Sequence, residues 1–127
     1  KDRGLSIVFV THDLGIVSEI ADRMIVMYAG QIVESGSSHN VLTAPRHPYS
    51  AALLACLPRL VEDESQAELR EFRRARPGTI PMIGSDFRGC RFRARCALAR
   101  AECSNDVPLI ETGPGWLSRC FFWGEAA

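Results

Sequence analysis

The sequence predicts an α/β fold: a buried parallel strand, a helix and a β-hairpin, followed by a small irregular cysteine-rich extension. Three observations carry this expectation. First, Ser6-Ile7-Val8-Phe9-Val10 is a β-branched and aromatic run without polar alternation. Such runs form strands buried on both faces, as in parallel α/β sheets. Second, an apolar, helix-like segment over residues 14–21 leads to the β-rich run Arg23-Met24-Ile25-Val26-Met27-Tyr28, and Gly30 turns that run back into Gln31-Ile32-Val33-Glu34. Third, the last 38 residues or so are polar, turn-rich and hold four of the five cysteines of the chain.

The first strand ends in Thr11-His12-Asp13, which sets an imidazole just past its carboxyl end. In open α/β sheets that edge is where ligands bind. Asp13 suits the N-cap of the following helix, its carboxylate accepting backbone N–H bonds at the positive helix end. The stretch SIVFVTHDLGIVSEIADRMIVMYAGQIVESG, residues 6–36, resembles the last part of the nucleotide-binding domain of an ABC transporter. The resemblance places His12 at the switch-histidine position, where the ring senses the γ-phosphate of ATP. Phosphoryl transfer depends chiefly on such positioning and electrostatic stabilisation.

Other parts of an ATPase are absent from these residues. A P-loop needs Gly-x4-Gly-Lys-[Ser/Thr], and the single lysine, Lys1, is followed by Asp2-Arg3-Gly4. There is no Leu-Ser-Gly-Gly-Gln signature, and Glu62-Asp63-Glu64 follows a segment too short and interrupted for the strand that holds magnesium. The chain also begins in mid-element, without an initiator methionine. It is therefore expected to be a C-terminal fragment of a longer ATPase subunit, inactive towards ATP by itself, with ATP and Mg²⁺ bound by the whole subunit. The formal net charge is zero, which indicates no general attraction to nucleic acid or anionic lipid. No apolar stretch approaches the roughly 20 residues that cross a bilayer.

Four parts are expected: residues 1–45 as the end of the nucleotide-binding domain, 46–60, 61–88 and 89–127. In the first, Ser38 is expected to cap a short helix through Thr43, closed by Pro45. In the second, Pro48 near a start and Pro58 past an end bracket one apolar helix. Cys56 is expected to pack on it, His47 to belong to a turn and His39 to lie on the surface. The phrase APRHPYSAALLACLPRL, with His47-Pro48-Tyr49 at its centre, resembles the segment that marks the oligopeptide/dipeptide branch of these transporters. Residues 61–76 run from acidic to basic and read as a solvated connector with some helix, in which Glu71 and Arg74 can pair. Pro77-Gly78 and Ile80-Pro81 argue for irregular backbone.

Cys90, Cys96, Cys103 and Cys120 give C-x5-C-x6-C-x16-C. Four thiolates suit zinc, although zinc pairs are usually two to four residues apart. Two disulfides suit an oxidising compartment. An iron–sulfur cluster takes four cysteines at wider spacing. The spacing alone leaves these three open. The segment GCRFRARCALARAEC, followed by Asn-Asp-Val-Pro-Leu and a late cysteine, is similar to the C-terminal extension of peptide-transporter ATPase subunits. In some members of that family the four cysteines bind a [4Fe–4S] cluster, and the resemblance implies the same for Cys90, Cys96, Cys103 and Cys120. Arg88, Arg91, Arg93 and Arg95 crowd the first two of them, either offsetting thiolate charge or lying exposed. Phe92, Trp116, Phe121, Phe122 and Trp123 are candidates for an apolar shell or a minor core.

Taken together, the resemblance implies the ATP-binding subunit of a di- or oligopeptide importer, peripheral on the cytoplasmic face of the cell membrane. Its partners would be a second ATP-binding subunit, identical or homologous, the transmembrane permeases and, indirectly, a peptide-binding protein. Three alternatives remain from the residues: a stand-alone metal- or iron–sulfur-binding module, possible in redox sensing; a nickel-type importer subunit; and a nonfunctional fragment with an exposed sheet edge.

Overall fold

The computed structural model describes residues 4–56, 75–82 and 87–125. Its elements are helix α1 (Leu14–Ile20), strands β1 (Arg23–Tyr28) and β2 (Gln31–Ser37), helices α2 (Ser38–Thr43) and α3 (Pro48–Ala55), and strands β3 (Ile110–Gly113) and β4 (Trp116–Ser118). The strands form one sheet in the order β1-β2-β4-β3, and every pairing is antiparallel. The tail thus contributes two strands to the sheet that the first half begins, rather than being irregular throughout. Among the described residues, no helix is long and apolar enough to cross a membrane.

The β1–β2 hairpin closes on Ala29 and Gly30, both at positive φ (48° and 78°). Two such residues give the turn whose twist matches that of antiparallel strands, and glycine takes this backbone without strain. Its face towards the core carries Val26, Tyr28 and Val33. Asp13 caps α1 as the sequence indicates, its Oδ1 accepting from Gly15 N at 2.8 Å and Ile16 N at 3.3 Å. The cap of α2 is Ser37 instead of Ser38: the Ser37 hydroxyl accepts from Asn40 N at 3.2 Å, while Ser38 begins the helix and is buried. Pro48 opens α3, where its missing N–H costs nothing.

The expected parallel strand does not form. Among the described residues, 5–10 pair with no strand, and Val8 and Val10 are 92% and 93% exposed. A strand apolar on both faces is stable only between neighbouring strands and under covering layers, and this four-stranded antiparallel sheet supplies neither to residues 5–10. Cys56 is likewise exposed at the end of α3 instead of packed. His39 is exposed as expected, and residues 75–82 are irregular as Pro77-Gly78 and Ile80-Pro81 indicate. The charged connector, including Glu62-Asp63-Glu64 and the Glu71–Arg74 pair, lies outside the described residues.

One buried carboxylate ties these elements together. Glu34 of β2 has no exposed surface. Its Oε1 accepts from Arg46 N at 2.8 Å and from the indole Nε1 of Trp116 at 2.9 Å, and its Oε2 accepts from His47 N at 3.0 Å. Ser118 of β4 then donates its hydroxyl to Arg46 O at 2.9 Å. The Arg46 guanidinium lies 4.9 Å from the ring centroids of both Trp116 and Trp123. Glu34→Gln replaces an acceptor oxygen with an NH₂ that meets a donor, and an unsatisfied buried group costs about 1–3 kcal/mol. The expected loss is about 2 kcal/mol for Glu34→Gln and more for Glu34→Ala, read as lowered midpoints in urea unfolding of the full chain.

Candidate four-cysteine site

The four candidate ligands sit in a tail of short turns around the β3–β4 hairpin. A 3₁₀ turn over Arg93–Arg95 separates Cys90 from Cys96, and a second, Ala101–Ser104, contains Cys103. Cys90 N donates to Cys103 O at 2.8 Å, so backbone pairing brings the first and third cysteines together. Gly89 makes this approach possible. A Cβ there would stand 2.5 Å from Cys103 O, and its φ of 83° disfavours any side chain. Gly89 N is held in turn by Asp106 Oδ1 at 3.0 Å. Cys120 arrives from β4, just past Arg119, whose N–H donates to Val33 O at 2.8 Å.

All four thiols are free. Cys96 and Cys103 are buried, and Cys90 and Cys120 half-buried. Burial is the main cause that pushes Cys120 up to about 12, with Cys90, Cys96 and Cys103 adding to the shift and the Phe122 N–H opposing it. Burial likewise raises Cys96 to about 11, helped by Cys90 and Cys103 and opposed by the Leu98 N–H and by Arg76. Cys90 is raised for the same first reason, against the N–H groups of Phe92 and Arg93 and the Arg93 charge. The four sulfurs therefore share one electrostatic neighbourhood, and backbone N–H groups point at three of them. Among the described residues, no three His, Cys, Asp or Glu side chains already stand in metal-holding geometry. The donor set, two buried and two half-buried thiols, is that of a Cys₄ group in its chemistry, and the N–H groups favour thiolate charge on three of the sulfurs. Binding such a group requires the thiols to give up their protons.

Only part of the arginine cluster serves the sulfurs. Arg93 and Arg76 lower the cysteine pKa values, and the Arg93 guanidinium also stacks 4.7 Å from the Phe87 ring. Arg91 instead donates from NH1 to Ala29 O, and Arg95 Nε donates to Arg76 O at 3.3 Å, so both tether the backbone. Phe92 is buried between Tyr28 and Tyr49, with ring centroids 5.2 Å and 5.4 Å away, and Trp116 shares the same core. Phe121 is exposed, and Phe122 carries the Arg100 guanidinium 4.1 Å from its ring. The aromatic residues thus divide between the core and the rim.

His12 lies apart from this site. It is exposed, immediately before the Asp13 cap of α1, and makes no hydrogen bond, ion pair or ring contact among the described residues. His47 holds the larger surprise. Expected in a turn, it is 1% exposed, caps α3 by accepting Tyr49 N at Nδ1 (3.0 Å), and lies 6.1 Å from the Phe92 ring. Its Nε2 has no partner in hydrogen-bond geometry among the described residues. Sequence reasoning also passed over Glu34, Arg46 and Arg119. Glu34 directly following the apolar Ile32-Val33 pair was the one available sign of a buried carboxylate.

The stretch that runs from the buried Glu34 through His47-Pro48-Tyr49 to Cys103 has counterparts elsewhere. Residues 33–103, over half of the chain, match the family described as oligopeptide/dipeptide transporter, C-terminal region. The chain belongs to this family. Relatives match along its length as well. A protein of Brucella ovis named a peptide import ATP-binding protein is 42% identical over 128 residues, covering 100% of this chain and 38% of the relative. A Brucella abortus protein of the same name matches to the same extent. A Brucella melitensis relative is 40% identical over 116 residues, covering 91% of this chain and 33% of its own length. This family member therefore spans little more than a third of the relatives it matches.

The matched region contains a titration that stability measurements can read. Burial is the largest cause that lowers His47 from 6.5 to about 3; the Arg119 carbonyl opposes that fall and the Arg119 charge adds to it. The unfolded chain takes up a proton near pH 6.5 and the folded one only near 3. Between those values the unfolded state binds more protons, so the His47 contribution is complete above about 6.5 and is lost as pH falls towards 3. The expected slope is up to about 1.4 kcal/mol per pH unit. Urea unfolding at a series of pH values should show it, and His47→Asn should flatten it.

Proposed function

We propose that this chain is the C-terminal part of the ATP-binding subunit of an ABC importer for di- or oligopeptides. The observation that carries the reading is similarity over the whole chain to proteins named peptide import ATP-binding proteins, joined to the family match over residues 33–103. The relatives are more than twice as long, which leaves room for a P-loop, magnesium carboxylates and a signature loop outside the matched region. In this reading residues 1–45 complete the nucleotide-binding domain, 46–60 form the His-Pro-Tyr helix, 61–88 connect and 89–127 carry the four-cysteine extension.

His12 then acts as the γ-phosphate switch. Its exposure beside a capped helix start leaves both ring nitrogens free for a nucleotide held by the rest of the subunit. The exposed residues 5–10 take their place in a parallel sheet when their neighbours are present. A pair of such subunits drives the membrane permeases from the cytoplasmic face, with peptide supplied by a binding protein.

Cys90, Cys96, Cys103 and Cys120 are the ligands of a [4Fe–4S] cluster in this reading, with Zn²⁺ as the alternative. Support comes from their shared neighbourhood, their burial and the N–H groups aimed at three sulfurs. When bound, such a group supplies cross-linking of the tail and, as a cluster, one-electron redox chemistry. The chain's own residues do the holding: Phe92 and Trp116 anchor the tail in the core, and Arg76 and Arg93 offset negative charge.

Two measurements test the two halves of this reading. In the full-length subunit, His12→Ala is expected to lower ATP hydrolysis by about 100-fold, the scale of losing a positioned catalytic group, while leaving nucleotide binding within a few-fold. An unchanged turnover would remove His12 from the mechanism. Anaerobic purification of the chain should give about four iron and four sulfide per protein, and Cys120→Ser should lose most of both. One zinc and no iron would instead select the zinc alternative.

A further inference from the structure

The four cysteines reach their common neighbourhood by two routes. Cys90, Cys96 and Cys103 belong to one run of tight turns, fastened by the Cys90 N–H on Cys103 O at 2.8 Å. Cys120 follows Cys103 only after sixteen intervening residues and the whole β3–β4 hairpin. Local turns cannot set its position across such a span. The strand that delivers it must be fixed from elsewhere.

Arg119, the residue before Cys120, does this with three bonds. Its N–H donates to Val33 O at 2.8 Å, continuing the contact of β4 with β2 past Ser118. Its Nε donates to Ile32 O at 2.8 Å, and its NH1 donates to Val107 O at 2.8 Å. One side chain therefore spans from β2 to the buried Val107, four residues beyond Cys103. The planar fork of arginine can serve two carbonyls in different directions, whereas a lysine ammonium at the end of a flexible stem is a single point donor.

We propose that Arg119 is a positioning residue of the four-cysteine site, clamping Cys120 between β2 and the Cys103 turn so that loading of the site and docking of the tail on β2 stabilise each other. This rests on the reading of the four cysteines as a ligand set. Linkage makes the effect reciprocal: a group that binds only when all four thiols are gathered favours the docked tail, and the docked tail favours the group. Glu34 contributes on the same strand, since Trp116 of β4 hangs from it by the indole N–H. The site is thereby connected to the β1–β2 hairpin.

The test compares iron retention. The full chain is reconstituted anaerobically with ferrous iron and sulfide, moved into excess chelator, and followed for iron loss. Arg119→Gln is expected to release iron about 10–100-fold faster than the unsubstituted chain, the usual scale for residues that orient ligands. Arg119→Lys should fall between the two, and it carries the test if Arg119→Gln does not fold. Leu14→Ala, which removes a buried side chain of α1, serves as the control that lowers folding stability without touching the tail. Its release rate should stay near that of the unsubstituted chain. Equal retention by the Arg119 variants, or release from Leu14→Ala as fast as theirs, overturns the clamp. The same release comparison is run with Zn²⁺ if the unsubstituted chain takes up no iron, and a chain that takes up neither metal overturns the ligand reading itself.

Discussion

Glu34 has no exposed surface, and it accepts two backbone N–H groups of the Arg46-His47 pair and the indole N–H of Trp116. A buried carboxylate is tolerable only when its oxygens are occupied by donors, so these partners are obligatory rather than optional. The same three bonds fix where the His-Pro-Tyr helix starts and where β4 lies. Arg46 then becomes the filling of a stack between Trp116 and Trp123, and His47 becomes the cap of α3. Much of the remaining architecture follows from satisfying this one side chain.

That constraint gives the His47-Pro48-Tyr49 segment a physical role. His47 and Tyr49 both meet the Phe92 ring, and Phe92 stands two residues after Cys90. The segment is therefore the joint between the β1–β2 hairpin and the cysteine-bearing tail. Tyr28 completes the joint from the hairpin side, with its ring 4.7 Å from that of Tyr49 and 5.2 Å from that of Phe92. Four aromatic rings drawn from three separate stretches meet there, and such pairs contribute about 0.5–1.5 kcal/mol each beyond the area they bury. The tail is accordingly built on the hairpin, through both a sheet pairing and this cluster.

Local features were legible in the residues themselves. The strand Arg23–Tyr28, its turn at Gly30, the Asp13 cap and the proline-led helix all appear where the sequence placed them, because each depends on neighbours within a few positions. The Ser37 cap differs by a single residue from the expected Ser38, a choice between adjacent hydroxyls that backbone angles settle. Residues 5–10 went the other way. Their apolar pattern calls for partners on both edges and both faces, and the sheet that forms from the described residues offers them none.

The sequence by itself determined the family and the candidate chemistry: Thr11-His12-Asp13, His47-Pro48-Tyr49 and the spacing of Cys90, Cys96, Cys103 and Cys120 are all readable as strings. Only the tertiary structure decided that the tail strands extend the sheet, that Glu34 is their anchor, and that Arg119 reaches Ile32 and Val107 at once. The physical reason is separation along the chain. Glu34 and Trp116 are 82 residues apart, and Arg119 and Ile32 are 87 apart. Periodicity and capping act over one or two turns, whereas a buried carboxylate or an arginine fork finds its partners only after the chain has folded back on itself.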